Sequence, residues 1–364
     1  MKMVNHKYSN RLIINLSILF SRPTGITNYA KNIFPYLKTL NPTLLTAESY
    51  SKFNCYPVPD NLTPAQGTKG HIRRLFWTQF QLPQIYKNLK SNLLFSPLPE
   101  APLYSNSRFV VMVHDFIPLR FPKRFSPLTP YHRYYIPQVI TQAEHVICNS
   151  QSTAKDITDF FQIPASKITP IPLAYDRTHF HHLNLPTRNY FLYIGRQDPY
   201  KNIQRLISAF AVLPNCKDYE LWLVGPIDSR YTPTLKVQVA ELGITNQVKF
   251  LDYIPYSELP KIINQAIALV FPSLWEGFGL PVLEAMACGT PVITSNLSSL
   301  PEVAGDAAIL INPYNTGEIT EAMQAIANDS VLRSRLSSQG IAHSQQFSWE
   351  KTGKATCEVL SRYL

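Results

Sequence analysis

Short apolar runs recur along the chain, each closed by a polar or glycine-containing break. Residues 11–17, 109–113 (F-V-V-M-V), 145–148, 190–194, 220–224, 248–251, 267–271 and 291–294 fit buried strands. Amphipathic stretches between them fit helices at 27–39, 152–161, 202–213, 257–266 and 281–287. Asn149 and Ser150 offer a start for the second helix; Pro281 opens the last and Gly289 closes it. Strands alternating with helices predict an α/β fold with parallel sheets. The alternation pauses at 176–188, a linker holding His179, His181, His182 and Pro186, and then resumes. Two doubly wound domains facing a cleft are therefore expected, without internal repeats or low-complexity tracts.

Composition narrows the class. A length of 364 residues suits two domains. With 45% hydrophobic and 16% charged residues, a disordered or collagen-like chain is excluded. The early apolar stretch 12–20 is broken by Asn15 and Ser17, and no run reaches the roughly 20 residues of a membrane span. Residues 1–10 are polar and lack the apolar region of a signal peptide. The five cysteines (Cys55, Cys148, Cys216, Cys288, Cys357) form no C-x-x-C pair, so a reducing cytoplasm is expected, with neither disulfide framework nor zinc site. The net charge of +10 is uneven: residues 1–180 hold 20 Lys+Arg and 8 Asp+Glu, the remainder 14 and 16. A half at +12 joined to one at −2 points to nucleic acid, an anionic membrane, or simply a solubilising surface.

The chemistry concentrates in the second half, at F-P-S-L-W-E-G-F-G-L-P (271–281). Here an expected strand runs through a glycine loop into a helix, whose free N–H groups suit an anion. Gly277 and Gly279 allow close approach to the backbone. Glu276 and Glu284 flank this opening. On one helix they would stand about 12 Å apart, beyond the roughly 5–9.5 Å of a glycosidase pair. A division of labour fits better: Glu284 for a diol such as a ribose, Glu276 for a reacting sugar. The plain alternative has Glu284 favouring the helix start and Glu276 solvated.

The segment G-R-Q-D-P-Y-K-N (195–202) lies where open α/β sheets bind ligands, after a strand and before a helix. Arg196 and Lys201 supply a planar fork and a point charge, a set suited to a diphosphate; otherwise Asp198 pairs with either base on a solvated loop. Gly25 follows the first strand without a G-x-G-x-x-G or P-loop pattern, as a phosphate-facing turn or a plain one. His114 and Asp115 end the strand at 109–113; there His114 either meets a sugar hydroxyl or is structural. Residues 69–90 mix Lys69, Arg73, Arg74, Lys87 and Lys90 with Phe76, Trp77 and Phe80, as a helix lying on anionic lipid or packed in the core. Residues 116–126 add Arg120, Lys123 and Arg124 around aromatics.

Several segments occur in an order that resembles one family. They are P-T-G-I-x-x-Y at 23–29, V-H-D at 113–115, the helix start at 149–157, Y-I-G-R…K-N at 193–202 and E-x7-E at 276–284. S-L-P-E-V-A-G-D-A-A at 299–308 and F-S-W at 347–349 also fit. Together they resemble the retaining GT-B glycosyltransferases of glycosyltransferase family 4, mannosyltransferase-like members included. The resemblance implies a GT-B fold: an acceptor-side Rossmann-like domain at 1–180, completed by a last helix at 349–364 that crosses back, and a nucleotide-sugar domain at 181–348. It implies that Arg196 and Lys201 hold the donor phosphates, Glu284 the ribose, and Glu276 with Phe278, Gly279 and Leu280 the donor sugar. Gly25 would lie near the diphosphate and His114 near the transferred sugar, making Glu276 and His114 the catalytic pair. Many relatives have two adjacent glycines where this chain has Thr24-Gly25, which bears on how closely the diphosphate approaches.

The implied function is retaining transfer from GDP-mannose or a UDP-sugar to an acceptor hydroxyl, in polysaccharide, O-antigen or glycolipid assembly. No cofactor is expected, since no D-x-D-like metal clamp stands at a strand end. Same-face attack is expected, since no carboxylate is placed as a nucleophile. Expected partners are a nucleotide sugar, a glycan or lipid-linked acceptor and an anionic membrane surface, with nucleic acid disfavoured. The expected location is cytoplasmic or peripheral on the inner face of the membrane. The alternative class is a non-catalytic nucleotide-sugar or polyanion-binding protein of the same fold. A phosphorylase would need a cofactor-bearing lysine, and none is identified.

Overall fold

A computed structural model describes residues 11–19, 25–122, 126 and 128–364. Pro23 and Thr24 of the first loop, and Lys123 and Arg124 of the basic stretch, lie outside the described residues. The chain divides into two units: residues up to Leu173 together with Trp349–Leu364, and Ala174–Ser348.

The first unit is a seven-stranded parallel sheet in the order β3-β2-β1-β4-β5-β6-β7. The strands are β1 (Leu12–Asn15), β2 (Thr43–Thr46), β3 (Asn54–Pro57), β4 (Leu93–Ser96), β5 (Phe109–Val113), β6 (His145–Cys148) and β7 (Ile168–Pro170). Central strands of a doubly wound sheet are covered on both faces, so they read as continuous apolar runs. β1 and β5 are fully buried, and Ile14 lies opposite both Leu44 and Phe95. β3 and β7 escape the apolar pattern because each is an edge strand ending in proline, a position where the missing N–H costs no ladder bond.

Two expected helices are divided by proline. Residues 27–39 form an α-helix over Gly25–Ile33 and then a tighter 3₁₀ segment over Phe34–Leu40, with Pro35 in its first turn. Residues 69–90 form two helices, Gly67–Phe80 and Leu82–Asn88, the second opened by Pro83. The last helix, Trp349–Ser361, belongs to the first unit. A side chain at Gly353 would place its Cβ 2.4 Å from that of Tyr36, so only glycine permits this approach. Thr352 Oγ1 donates to the Pro172 carbonyl at 2.8 Å, and the Tyr363 hydroxyl lies 2.9 Å from His145 Nδ1.

The second unit is a six-stranded parallel sheet in the order β10-β9-β8-β11-β12-β13. Its strands are β8 (Tyr190–Ile194), β9 (Glu220–Val224), β10 (Val248–Leu251), β11 (Ala268–Phe271), β12 (Val292–Ser295) and β13 (Ile309–Ile311). Renumbered within the unit this is 3-2-1-4-5-6, the Rossmann order, and its winding reverses between β8 and β11. Residues 174–180 pack with this unit: the Tyr175 hydroxyl donates to Ser344 Oγ at 3.3 Å, and Phe180 meets Tyr256 edge-on. Asn315 and Asp329 cap the helices Thr316–Asn328 and Ser330–Ser344 with side-chain oxygens, satisfying amides that would otherwise have no partner.

Candidate functional site

Adjacent strands whose connections leave in opposite directions open a crevice at their carboxyl ends. In the second unit this point lies between β8 and β11, and the two loops leaving it are tied together. Asn202, in the left-handed conformation at φ +63°, donates to the carbonyls of Pro272 (3.1 Å) and Pro313 (2.7 Å). The Leu274 amide donates to the Tyr200 carbonyl at 2.8 Å. On this scaffold Lys201 Nζ meets Glu276 Oε1 at 2.6 Å, with both side chains about 10% exposed. Lys201 Nζ also lies 5.3 Å from the ring centres of Tyr200 and Phe271, within cation–π range of both. Glu276 is held through its backbone as well: its amide donates to Ser298 Oγ at 3.0 Å and its carbonyl accepts from Ser299 Oγ at 3.0 Å.

Arg196 shares the β8 loop but extends outward, with its side chain 64% exposed and Nε 3.2 Å from Asp198 Oδ2. Both cations thus stand at the predicted strand end, one nearly buried and one in solvent.

Beyond Glu276 the chain passes Phe278, Gly279 and Leu280 into the helix Leu280–Ala287. Gly279 sits at φ +105°, and a Cβ there would fall 2.7 Å from Leu300 Cδ2. The amides of Phe278, Gly279 and Leu280 donate to no described residue, so they remain available at the positive end of the helix. Glu284 is the fifth residue of this helix, one position further in than the expected start at Pro281 gave it, and so just past the first turn. A carboxylate there gains less from the free amides than one in the first turn would. Burial pushes the Glu284 carboxyl up to about 7, and no described residue hydrogen-bonds to it.

In the first unit His114 follows β5. Its Nε2 donates to the Pro97 carbonyl at 2.9 Å, which fixes the proton on that nitrogen and leaves Nδ1 as an acceptor. Burial lowers its pKa to about 4, so the ring is neutral at physiological pH. His114 also borders a cavity of about 510 Å³ lined by Ile18, Ile26, His71, Glu100 and Tyr131 among others. Gly25 is exposed at the first position of its helix, with open space where a Cβ would stand.

The sequence did not reveal the centre of this cavity wall. Arg74, expected among the surface cations, is buried and grips the fully buried Glu100 with two bonds, at 2.7 and 2.8 Å. Trp77 is likewise buried, on the same helix. Serines 298 and 299 were also overlooked; the only hint was that Ser299 opens the S-L-P-E segment. Among the described residues no three His, Cys, Asp or Glu side chains gather as a metal site requires, and no helix is long and apolar enough to cross a membrane.

Two family models match consecutive parts of the chain: "Glycosyltransferase Family 4" over residues 24–179 and "Glycosyl transferases group 1" over residues 175–343. The O-antigen chain mannosyltransferase B of Escherichia coli is 32% identical over 238 residues, covering 62% of this chain and 61% of that protein. The match thus spans less than two thirds of that relative's length. The O-antigen chain mannosyltransferase RfbU of Salmonella typhimurium is 28% identical over 315 residues, 83% of this chain and 87% of the other. Among solved structures, Anabaena Alr3699/HepE in complex with UDP-glucose superposes with a TM-score of 0.75 at 18% identity, over 96% of this chain and 99% of that one. The fold shared with such structures is two Rossmann-like α/β units with a C-terminal helix.

Proposed function

We propose that this chain, related to the glycosyltransferases of group 1 and family 4, moves a glycosyl group from a nucleotide-diphospho-sugar to an acceptor hydroxyl with retention at the anomeric carbon. The observation that carries this reading is the Lys201–Glu276 pair at 2.6 Å, set at the winding reversal of the second unit beside three free amides.

The roles follow from chemistry. Lys201, Arg196 and the amides of Phe278, Gly279 and Leu280 meet the diphosphate and stabilise the charge that grows on it. Glu284, lacking a partner of its own, accepts hydrogen bonds from the ribose hydroxyls. Glu276 meets the donor sugar. In the first unit the reading gives His114 a sugar hydroxyl and Gly25 a diphosphate oxygen. The bond between the anomeric carbon and the diphosphate oxygen breaks, and the acceptor oxygen bonds to the same face. The acceptor proton passes to the leaving diphosphate.

Two relatives are named O-antigen chain mannosyltransferases, which favours mannose as the transferred sugar and a growing glycan chain as acceptor; GDP-mannose is the donor to test first, ahead of UDP-sugars. No metal takes part in these assignments. A cytoplasmic location suits five unpaired cysteines.

The test is incubation of the purified chain with GDP-mannose and with UDP-sugars, each with a panel of glycan acceptors. Nuclear magnetic resonance then identifies the product's anomeric configuration. Turnover with inversion overturns the stereochemical part. Donor binding by calorimetry without turnover favours a binding protein, and the lack of both overturns the reading.

A further inference from the structure

The helix Gly67–Phe80 is anchored on one side. Gly70, Arg74, Trp77 and Thr78 are buried, and a Cβ at Gly70 would meet the Thr63 carbonyl oxygen at 2.2 Å. Its outer side carries Ile72, Phe76 and Phe80, which are 48%, 62% and 67% exposed. They stand four residues apart, so they form one row along the helix. The Phe76 and Phe80 rings stack at 6.0 Å and 20°, giving a single apolar ridge.

Cations flank the ridge. Lys69 and Arg73, both exposed, precede Ile72 and Phe76 by three residues and so occupy the neighbouring row. Lys87 and Lys90 are exposed shortly beyond. No acidic residue occurs between Asp60 and Glu100, and Glu100 is taken by Arg74. Lys69, Arg73, Lys87 and Lys90 form no ion pair among the described residues. An apolar ridge bordered by unpaired cations matches the boundary between acyl chains and anionic head groups. A single-stranded nucleic acid fits less well, since the two aromatic rings stack on each other and the row begins with an isoleucine.

We infer that this face of the first unit docks on an anionic phospholipid surface, with Ile72, Phe76 and Phe80 entering the interface and the lysines and arginine meeting head groups. This does not depend on the transfer reading, and its test needs no sugar. The full chain is sedimented with vesicles of phosphatidylcholine alone and of phosphatidylcholine with phosphatidylglycerol, at low and high salt. Binding is expected to the anionic vesicles only and to weaken with salt. The variants Phe76→Ser/Phe80→Ser and Lys69→Glu/Arg73→Glu should each lower the partition by about tenfold or more. Unchanged circular dichroism would show that both remain folded. Absence of sedimentation, or variants that bind like the original chain, overturns the inference. So does self-association in the ultracentrifuge that the phenylalanine variants abolish, or retention on single-stranded DNA without retention on vesicles.

Discussion

Lys201 and Glu276 lie 75 residues apart in the chain, yet Nζ and Oε1 stand 2.6 Å apart because β8 and β11 are neighbours in the sheet. Both side chains are about 10% exposed, so each holds the other in position. Under the proposed function Lys201→Ala removes the more buried of the two cations assigned to the leaving diphosphate. Transfer, read as kcat/KM, should fall by about 10²–10³-fold. Lys201→Arg should recover part of the loss. Glu276→Gln should also lower transfer, and the double variant should lose less than the product of the two single losses, since the groups act as a unit. Initial rates for all four proteins test this.

The Glu284 carboxyl titrates near 7 because burial disfavours its charge. Between the ordinary glutamate range and about 7, the folded chain holds a proton that the unfolded chain has released. The contribution of this group to stability should therefore fall as pH rises through that window, by about 3 kcal/mol in all by pH 8. Glu284→Gln should flatten the decline, as followed by thermal melts from pH 5 to 8. A nucleotide sugar whose ribose hydroxyls donate to the ionised form should bind more tightly above pH 7, and the variant should lose that dependence.

Arg74 and Glu100 are 5% and 0% exposed. Removing one partner leaves a buried charge without compensation, which costs about 3–5 kcal/mol. Arg74→Met should destabilise the first unit by that amount in urea. Arg74→Met with Glu100→Leu should recover most of it, because no buried charge then remains.

Burial lowers His114, His132 and His145 each to about 4. As pH falls through 6.5, these groups take up protons in the unfolded chain before they do in the folded one. The contribution of these neutral rings to stability should therefore be full above pH 7 and should decline toward pH 4, opposing the trend from Glu284 over the same range. His114→Asn should remove about 2 kcal/mol of the acid-dependent loss measured at pH 4.5.

The central strands were legible because burial on both faces leaves their apolar runs unbroken. β8, β9 and β10 match their expected bounds, and β11 and β12 fall within a residue of theirs. The three residues of β13 are too few for a pattern to show, and the prolines of β3 and β7 look like breaks until their edge positions are known. The glycine loop and both cations of the candidate site were visible as residue types. Their pairing was not, since it depends on which strands become neighbours. Arg73 and Arg74 look alike in sequence; only Glu100, 26 residues later, draws the second inward and leaves the first in solvent.

The return of the helix Trp349–Ser361 to the first unit sets an order of assembly. During synthesis the first unit must wait for its final piece while 175 residues, Ala174 to Ser348, are made. At about 5–20 residues per second that is a delay of roughly 9–35 s. Throughout it the surfaces around Tyr36, Pro172 and His145 that the last helix covers stay open. The second unit has its whole chain first, so the half encoded later is the half able to finish folding earlier. A ribosome stalled just short of Trp349 would carry one complete unit and one still waiting for its last helix.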